Sequence, residues 1–145
     1  DLITTAAFLF IFMPVITQTG GNSGSQASTL MIRGLATGEI HSRDAGRILL
    51  KEITVGIVMG VITGAVILIR SFYLPPGVEL SQSVTIGAAL AFVVLFSTLV
   101  GTIAPLLINK LGFDPTVMSA PLMATVIDVA GLTIYFEIAK ILQGI

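Results

Sequence analysis

Cysteine and tryptophan are absent from this chain of 145 residues, and histidine occurs only at His41. Without cysteine there is no disulfide framework, no thiolate nucleophile and no Cys-rich zinc site. Charge is scarce as well. Only 10% of residues are charged, 54% are hydrophobic, and the mean hydropathy is +1.02. A soluble domain carries about 25% charged residues. The 7 Lys and Arg and 8 Asp and Glu of this chain cannot cover a water-facing surface. The same balance excludes intrinsic disorder, which needs much charge and little apolar content. A net charge of −1 supplies no basic patch, so nucleic acid is not an expected partner. What the sequence does contain is long apolar runs, the mark of an integral membrane protein in contact with a lipid bilayer.

A transmembrane helix needs about 20 mostly apolar residues. Four runs qualify, at about 2–30, 53–69, 84–108 and 119–142. The bilayer core forces backbone groups to pair internally, so the expected fold is all-α, a polytopic membrane helix bundle with four long transmembrane helices. The connections are short. Pro75-Pro76-Gly77 marks a turn, and Asp114-Pro115 predicts a helix start with Asp114 as N-cap. No basic segment precedes the first apolar run, so it does not read as a signal peptide. Residues 1–145 read as one transmembrane domain, a fragment of a longer protein. Arg33, Arg43, Arg47 and Lys51 flank the first connection, whereas the second has only Arg70. The positive-inside rule then places connections 34–46 and 111–118 in the cytoplasm, and the C-terminus outside, of a multi-pass cell-membrane protein.

Two features are foreign to a plain lipid-facing span. The first run carries Pro14, which leaves the carbonyl of Phe10 without its helical donor. A polar run, Gly20-Gly21-Asn22-Ser23-Gly24-Ser25-Gln26, follows it. Gly20 and Gly24 form a small-xxx-small pair suited to helix packing. Asn22 and Gln26, at i and i+4, suit a wet pore lining. The second feature is Asp128, deep in the last run. An Asp at a helix centre costs about 2.5–3.5 kcal/mol to insert, so it faces a bundle interior or an aqueous path. No basic residue within the second or third run neutralises it. Pro121, Ala124, Thr125, Gly131 and Tyr135 fall near it at helical spacing. Carboxylate, carbonyl and water are the ligand set of a hard cation. The purely structural alternative is an Asp bonded to another helix. Gly56, Gly60 and Gly64 give the second run a close-packing face.

Enzyme chemistry finds no support. Gly21-Asn22-Ser23-Gly24 matches the GxSG of intramembrane serine proteases, but the one histidine lies in a connection, away from any nucleophile in a span. An intramembrane aspartyl protease needs two deep aspartates. No phosphate loop or HExxH is present.

The run from Pro14 through the GGNSGSQ segment to Thr29-Leu30-Met31-Ile32-Arg33-Gly34-Leu35-Ala36-Thr37 resembles the second transmembrane helix of the MgtE magnesium transporters and channels. Lys51-Glu52 at the next span fits that pattern. Asp114-Pro115, Ser119-Ala120-Pro121-Leu122 and Ala124-Thr125 leading to Asp128 and Gly131-Leu132 resemble that family's last helix. The resemblance implies a homodimer of five helices per subunit with an ion path between subunits. It implies that Asp128 binds magnesium with help from the main chain near Ala124, that Asn22 lies by the pore, and that Pro14 shapes its helix. The family's first helix and its cytoplasmic regulatory domains have no counterpart in this sequence, and Ala120 stands where the family often has Asn.

The expected function is therefore Mg²⁺ transport through a channel-like pore at a homodimer axis. Asp128 and Ala124 form the metal site, and Pro14, Asn22, Gln26, Pro121 and Thr125 line the pore. The bound and transported ion is Mg²⁺, held partly hydrated. A coupled carrier exchanging Mg²⁺ against Na⁺ or H⁺ is the alternative in transport, and a non-conducting scaffold the alternative outside it.

Overall fold

The computed structural model describes the backbone of residues 2–144 and the side chains of residues 7–41 and 43–144. It is built from four helices: α1 (Leu2–Thr37), α2 (Ala45–Tyr73), α3 (Leu80–Lys110) and α4 (Ala120–Gln143). Among the described residues there is no strand. Helices α2, α3 and α4 are each long and apolar enough to cross a membrane. Helix α1 carries the polar glycine-rich run and is 36 residues long. At about 1.5 Å per residue, it is longer than the bilayer core is thick.

The ends of the helices follow from local chemistry. Helix α1 runs past the expected end near residue 30 and stops where Gly38 adopts a left-handed φ of 73°. The turn is closed by Ile40 N–H donating to the Gly34 carbonyl at 3.0 Å. Helix α3 starts with a reciprocal cap. The Glu79 side chain accepts from the third-residue backbone, and the Glu79 N–H donates to Gln82 Oε1 at 3.2 Å. Helix α4 departs from expectation. Asp114 caps only a short 3₁₀ turn, Pro115–Val117, by accepting from Thr116 N–H at 2.9 Å. The main helix begins at Ala120. Pro121 falls in the first turn of this helix, where its missing N–H leaves no intrahelical bond unmade. The Val117 carbonyl therefore lies in the preceding 3₁₀ turn and not within α4.

Helix α3 is central and packs against the other three. Phe8, Leu9, Phe12 and Ile16 of α1 meet Ile86, Leu90, Val93 and Val94 of α3 and Tyr135 and Ala139 of α4 in one core cluster. Against α2 the contact is backbone on backbone. A Cβ added to Gly60 would lie 2.7 Å from the Ala91 carbonyl oxygen, and one on Gly64 would lie 2.6 Å from that of Gly87. The glycines expected to form a packing face do form it. The remainder of α2 shows exposed Val55, Val58, Ile62, Val66 and Ile69, a surface suited to lipid.

Candidate functional site

Helices α1 and α4 meet along a seam unlike the rest of the bundle. The polar run of α1 is divided by helical geometry. Gly20, Gly24, Ala27 and Ser28 are buried, while Asn22 and Gln26 are exposed. Gly20 and Gly24 make room for Val93 and Ser97 of α3 and Ile127 of α4. The packing reading therefore holds for the glycine face, while the opposite face leaves Asn22 and Gln26 uncovered. Helix α1 passes through the run unbroken, from Leu2 to Thr37.

Asp128 lies where the two helices approach. It is half-buried, and a Cβ added to Gly21 would sit 3.1 Å from Asp128 Oδ1 and 3.8 Å from Ala124 Cβ. Glycine at position 21 thus lets the carboxylate lie directly on the backbone of α1. Among the described residues, no hydrogen bond or ion pair reaches the Asp128 side chain. The ion pairs present are His41 with Asp44 and Lys140 with Glu137. An unpaired carboxylate at this depth is costly unless water or a cation reaches it. Among the described residues no group of three or more His, Asp or Glu converges. One copy of the chain therefore offers a single acidic ligand and not a closed cage.

The seam continues toward the end of the molecule that carries the α1–α2 connection. Ser25 Oγ donates to the Ala120 carbonyl at 3.1 Å, and Ser28 Oγ donates to the Met118 carbonyl at 3.1 Å. These two bonds pin the start of α4 to α1. Asn22, Ser25, Gln26, Thr29, Leu30 and Ala120 line an open groove of about 470 Å³. In the other direction Gln18 Nε2 donates to Asn22 Oδ1 at 3.5 Å, and Pro14 is exposed one turn further. Thr125 Oγ1 donates to the Pro121 carbonyl at 3.0 Å, and both residues are exposed. A larger groove, about 740 Å³, lies elsewhere, between α3 and α4. Its walls are mostly apolar, among them Phe92, Leu95, Phe96, Ile134 and Ile138, and its one carboxylate, Glu137, is paired with Lys140 at 2.9 Å.

Several expected positions are redistributed. Gly131 and Tyr135, expected near Asp128 at helical spacing, turn instead into the core. Gly131 accommodates Val93, and Tyr135 is fully buried with its hydroxyl donating to the Leu9 carbonyl at 3.2 Å. Their face turns inward with Met123 and Ile127. The interhelical hydrogen bonds of this stretch are made by Ser25 and Ser28. Gly21, Gln18, Ser25 and Thr29 were not singled out as site residues. The four-residue spacing Pro14, Gln18, Asn22 was a signal available in the sequence. The close approach at Gly21 was not, because it depends on where α4 lies.

These features define a helical membrane protein with one deep, unpaired carboxylate in a polar seam that stays open at the surface of the single chain. The chain belongs to the MgtE family: the model of that family, described as a divalent cation transporter, matches residues 13–138. It is thus a member of a transporter family and not of an enzyme family. It is 42% identical over 98% of its length to the magnesium transporter MgtE of Thermus thermophilus, and 36% identical over 97% to that of Enterococcus faecalis. The magnesium transporter MgtE of Bacillus subtilis is 31% identical over 96%. In each case the chain spans about 30% of the length of the relative.

Proposed function

We propose that residues 1–145 form the ion-conducting domain of a magnesium transporter, with Asp128 holding a partly hydrated Mg²⁺ in a pore at a two-fold axis between two copies. The observation that carries this reading is the Asp128 carboxylate, half-buried and unpaired against Gly21 in an open polar seam. A surface bearing Asn22, Ser25, Gln26 and Asp128 is poorly suited to lipid. Water and a second copy of the chain together satisfy it.

The electrostatics favour two-fold symmetry. Two Asp128 carboxylates facing each other across an axis repel, and one divalent cation neutralises both. Magnesium gives up water reluctantly and is commonly held by one or two carboxylates. The one Asp128 carboxylate that each chain brings to the seam matches that demand. The carbonyl near Ala124, the Thr125 hydroxyl oxygen and the amides of Asn22 and Gln26 are suited to accept from, or donate to, the waters of the ion. Pro14 and Pro121 shape the two helices that line the path. An ion held through water also leaves readily, as conduction requires.

Orientation follows from charge. Arg33, Arg43, Arg47, Lys51 and Lys110 lie at one end of the bundle, and Arg70 and Lys140 at the other. The first end, with connections 34–46 and 111–118, is assigned to the cytoplasm, and the C-terminus to the outside.

Mg²⁺ uptake into proteoliposomes tests the reading. At matched dimer content, Asp128→Ala should lower uptake by about tenfold or more, equivalent to about 1.4 kcal/mol or more. Equal uptake by the parent and the variant would remove Asp128 from the path. Uptake that required a Na⁺ or H⁺ gradient would make the protein a coupled carrier. A change in dimer content on Asp128→Asn with no change in ion binding would favour a scaffold.

A further inference from the structure

The positive charge at the cytoplasmic end is concentrated on a surface that the ion path does not use. Helix α2 turns Gly56, Gly60 and Gly64 toward α3. At about 100° per residue, Arg47 and Lys51 lie roughly 180° and 140° from Gly56, on the face turned away from the bundle. Arg43 stands in the short turn just before α2. All three side chains are exposed. Among the described residues none of them makes a side-chain hydrogen bond or an ion pair. The nearby acids do not cancel them: Asp44 is 3.8 Å from His41 Nδ1, and Glu52 is half-buried, about 40° from Gly56 on the α3-facing side.

The same outward face continues into the bilayer as Leu50, Val55, Val58 and Ile62, which are 69%, 42%, 51% and 53% exposed. Cationic heads therefore lie directly above a strip of exposed hydrocarbon. Arg47 and Lys51 are one helical turn apart, and long basic side chains reach toward the interface while their stems stay apolar. Their heads can thus share one level with Arg43.

We propose that Arg43, Arg47 and Lys51 bind the phosphate headgroup of an anionic phospholipid of the cytoplasmic leaflet, with its acyl chain along Leu50, Val55, Val58 and Ile62. Charge complementarity identifies the occupant. A basic residue near the membrane surface contributes about 1 kcal/mol of attraction to anionic lipid. A lipid satisfies the phosphate-binding cations and the hydrocarbon strip together, which a free phosphate does not.

The absence of tryptophan makes the test clean. Leu50→Trp introduces a single fluorophore beside the basic group, and Ile69→Trp a control near the far end of α2. Each protein is placed in bilayers containing brominated phosphatidylglycerol or brominated phosphatidylcholine, and quenching is compared. Leu50→Trp should prefer the anionic lipid by about threefold or more, whereas Ile69→Trp should show no preference. Adding Arg43→Gln, Arg47→Gln and Lys51→Gln should abolish the preference at position 50, each single substitution should lower it, and Arg43→Lys with Arg47→Lys should retain it. Because the ratio is internal to each protein, it is read from any variant that inserts, including the single ones. Equal quenching by the two lipids in the parent, or a preference unchanged by the neutral substitutions, would overturn the proposal. Loss of the preference on adding millimolar inorganic phosphate at constant ionic strength would overturn it in favour of a free-phosphate site.

Discussion

The α2–α3 and α1–α4 seams both depend on glycine, yet they use it for different ends. Between α2 and α3, glycine brings backbone against backbone, and the gap is filled on both sides. Gly60 faces the Ala91 carbonyl and Gly64 faces that of Gly87, so neither neighbour can step aside. Between α1 and α4, Gly21 faces a carboxylate at the end of a rotatable side chain. The first seam is a weld and the second a seat. The lesson is that what a glycine faces, and not the GxxxG spacing alone, separates a closed backbone contact from one that leaves a side chain free to move.

Substitutions can break this contrast. The largest loss of stability is expected at Gly60. Gly60→Ala puts a Cβ 2.7 Å from the Ala91 carbonyl oxygen, and overpacking of this kind costs about 1–3 kcal/mol. A lowered melting temperature in detergent checks it, and an unchanged one would mean that α2 and α3 slide apart freely. Gly21→Ala should do the reverse. Its Cβ would sit 3.1 Å from Asp128 Oδ1, so the carboxylate must give way by a few tenths of an ångström. The helix itself gains up to about 1 kcal/mol from Gly to Ala, so the melting temperature should hold while Mg²⁺ uptake falls severalfold. If stability and uptake fell together at Gly21, the two seams would be of one kind.

A smaller effect is expected at Tyr135, whose hydroxyl donates to the Leu9 carbonyl within the core. Tyr135→Phe removes that bond for about 1 kcal/mol, and the melting temperature should drop slightly with uptake intact. The smallest concerns the turn before α4. The Thr116 side chain and then its backbone N–H hold the Asp114 carboxyl below the ordinary carboxylate value. A depressed carboxylate contributes above its unfolded pKa, and the contribution is lost as pH falls through the lower, folded value. Amide protection at Thr116 should therefore be flat from pH 7 to 5 and decay only below about pH 4.

Much of this was legible in the residues. Apolar runs bounded by charge gave the four helices, since the bilayer rule on run length is coarse and strong. The glycine face of α2 and the anomaly of Asp128 were visible for the same reason, being rare in such runs. Helix ends were less legible. Asp114-Pro115 carries a sound start signal, yet Pro121 six residues on suits a second start, and the choice between the two is not visible from either alone. The polar run of α1 was legible as unusual but not as divided, because its two faces are told apart only by neighbours.

The sequence by itself determined that this protein lies in a membrane, that it is helical, and that one uncompensated carboxylate sits deep within a span. These follow from composition and run length, which act locally and need no partner. Only the tertiary structure decided that Asp128 rests on Gly21, that Ser25 and Ser28 pin α4 to α1, and that Gly131 and Tyr135 turn inward. Most of those contacts join residues about 90 or more positions apart along the chain, as with Ser28 and Met118 or Leu9 and Tyr135. A helical repeat sets which residues share a face, but the crossing of two helices selects which face is covered.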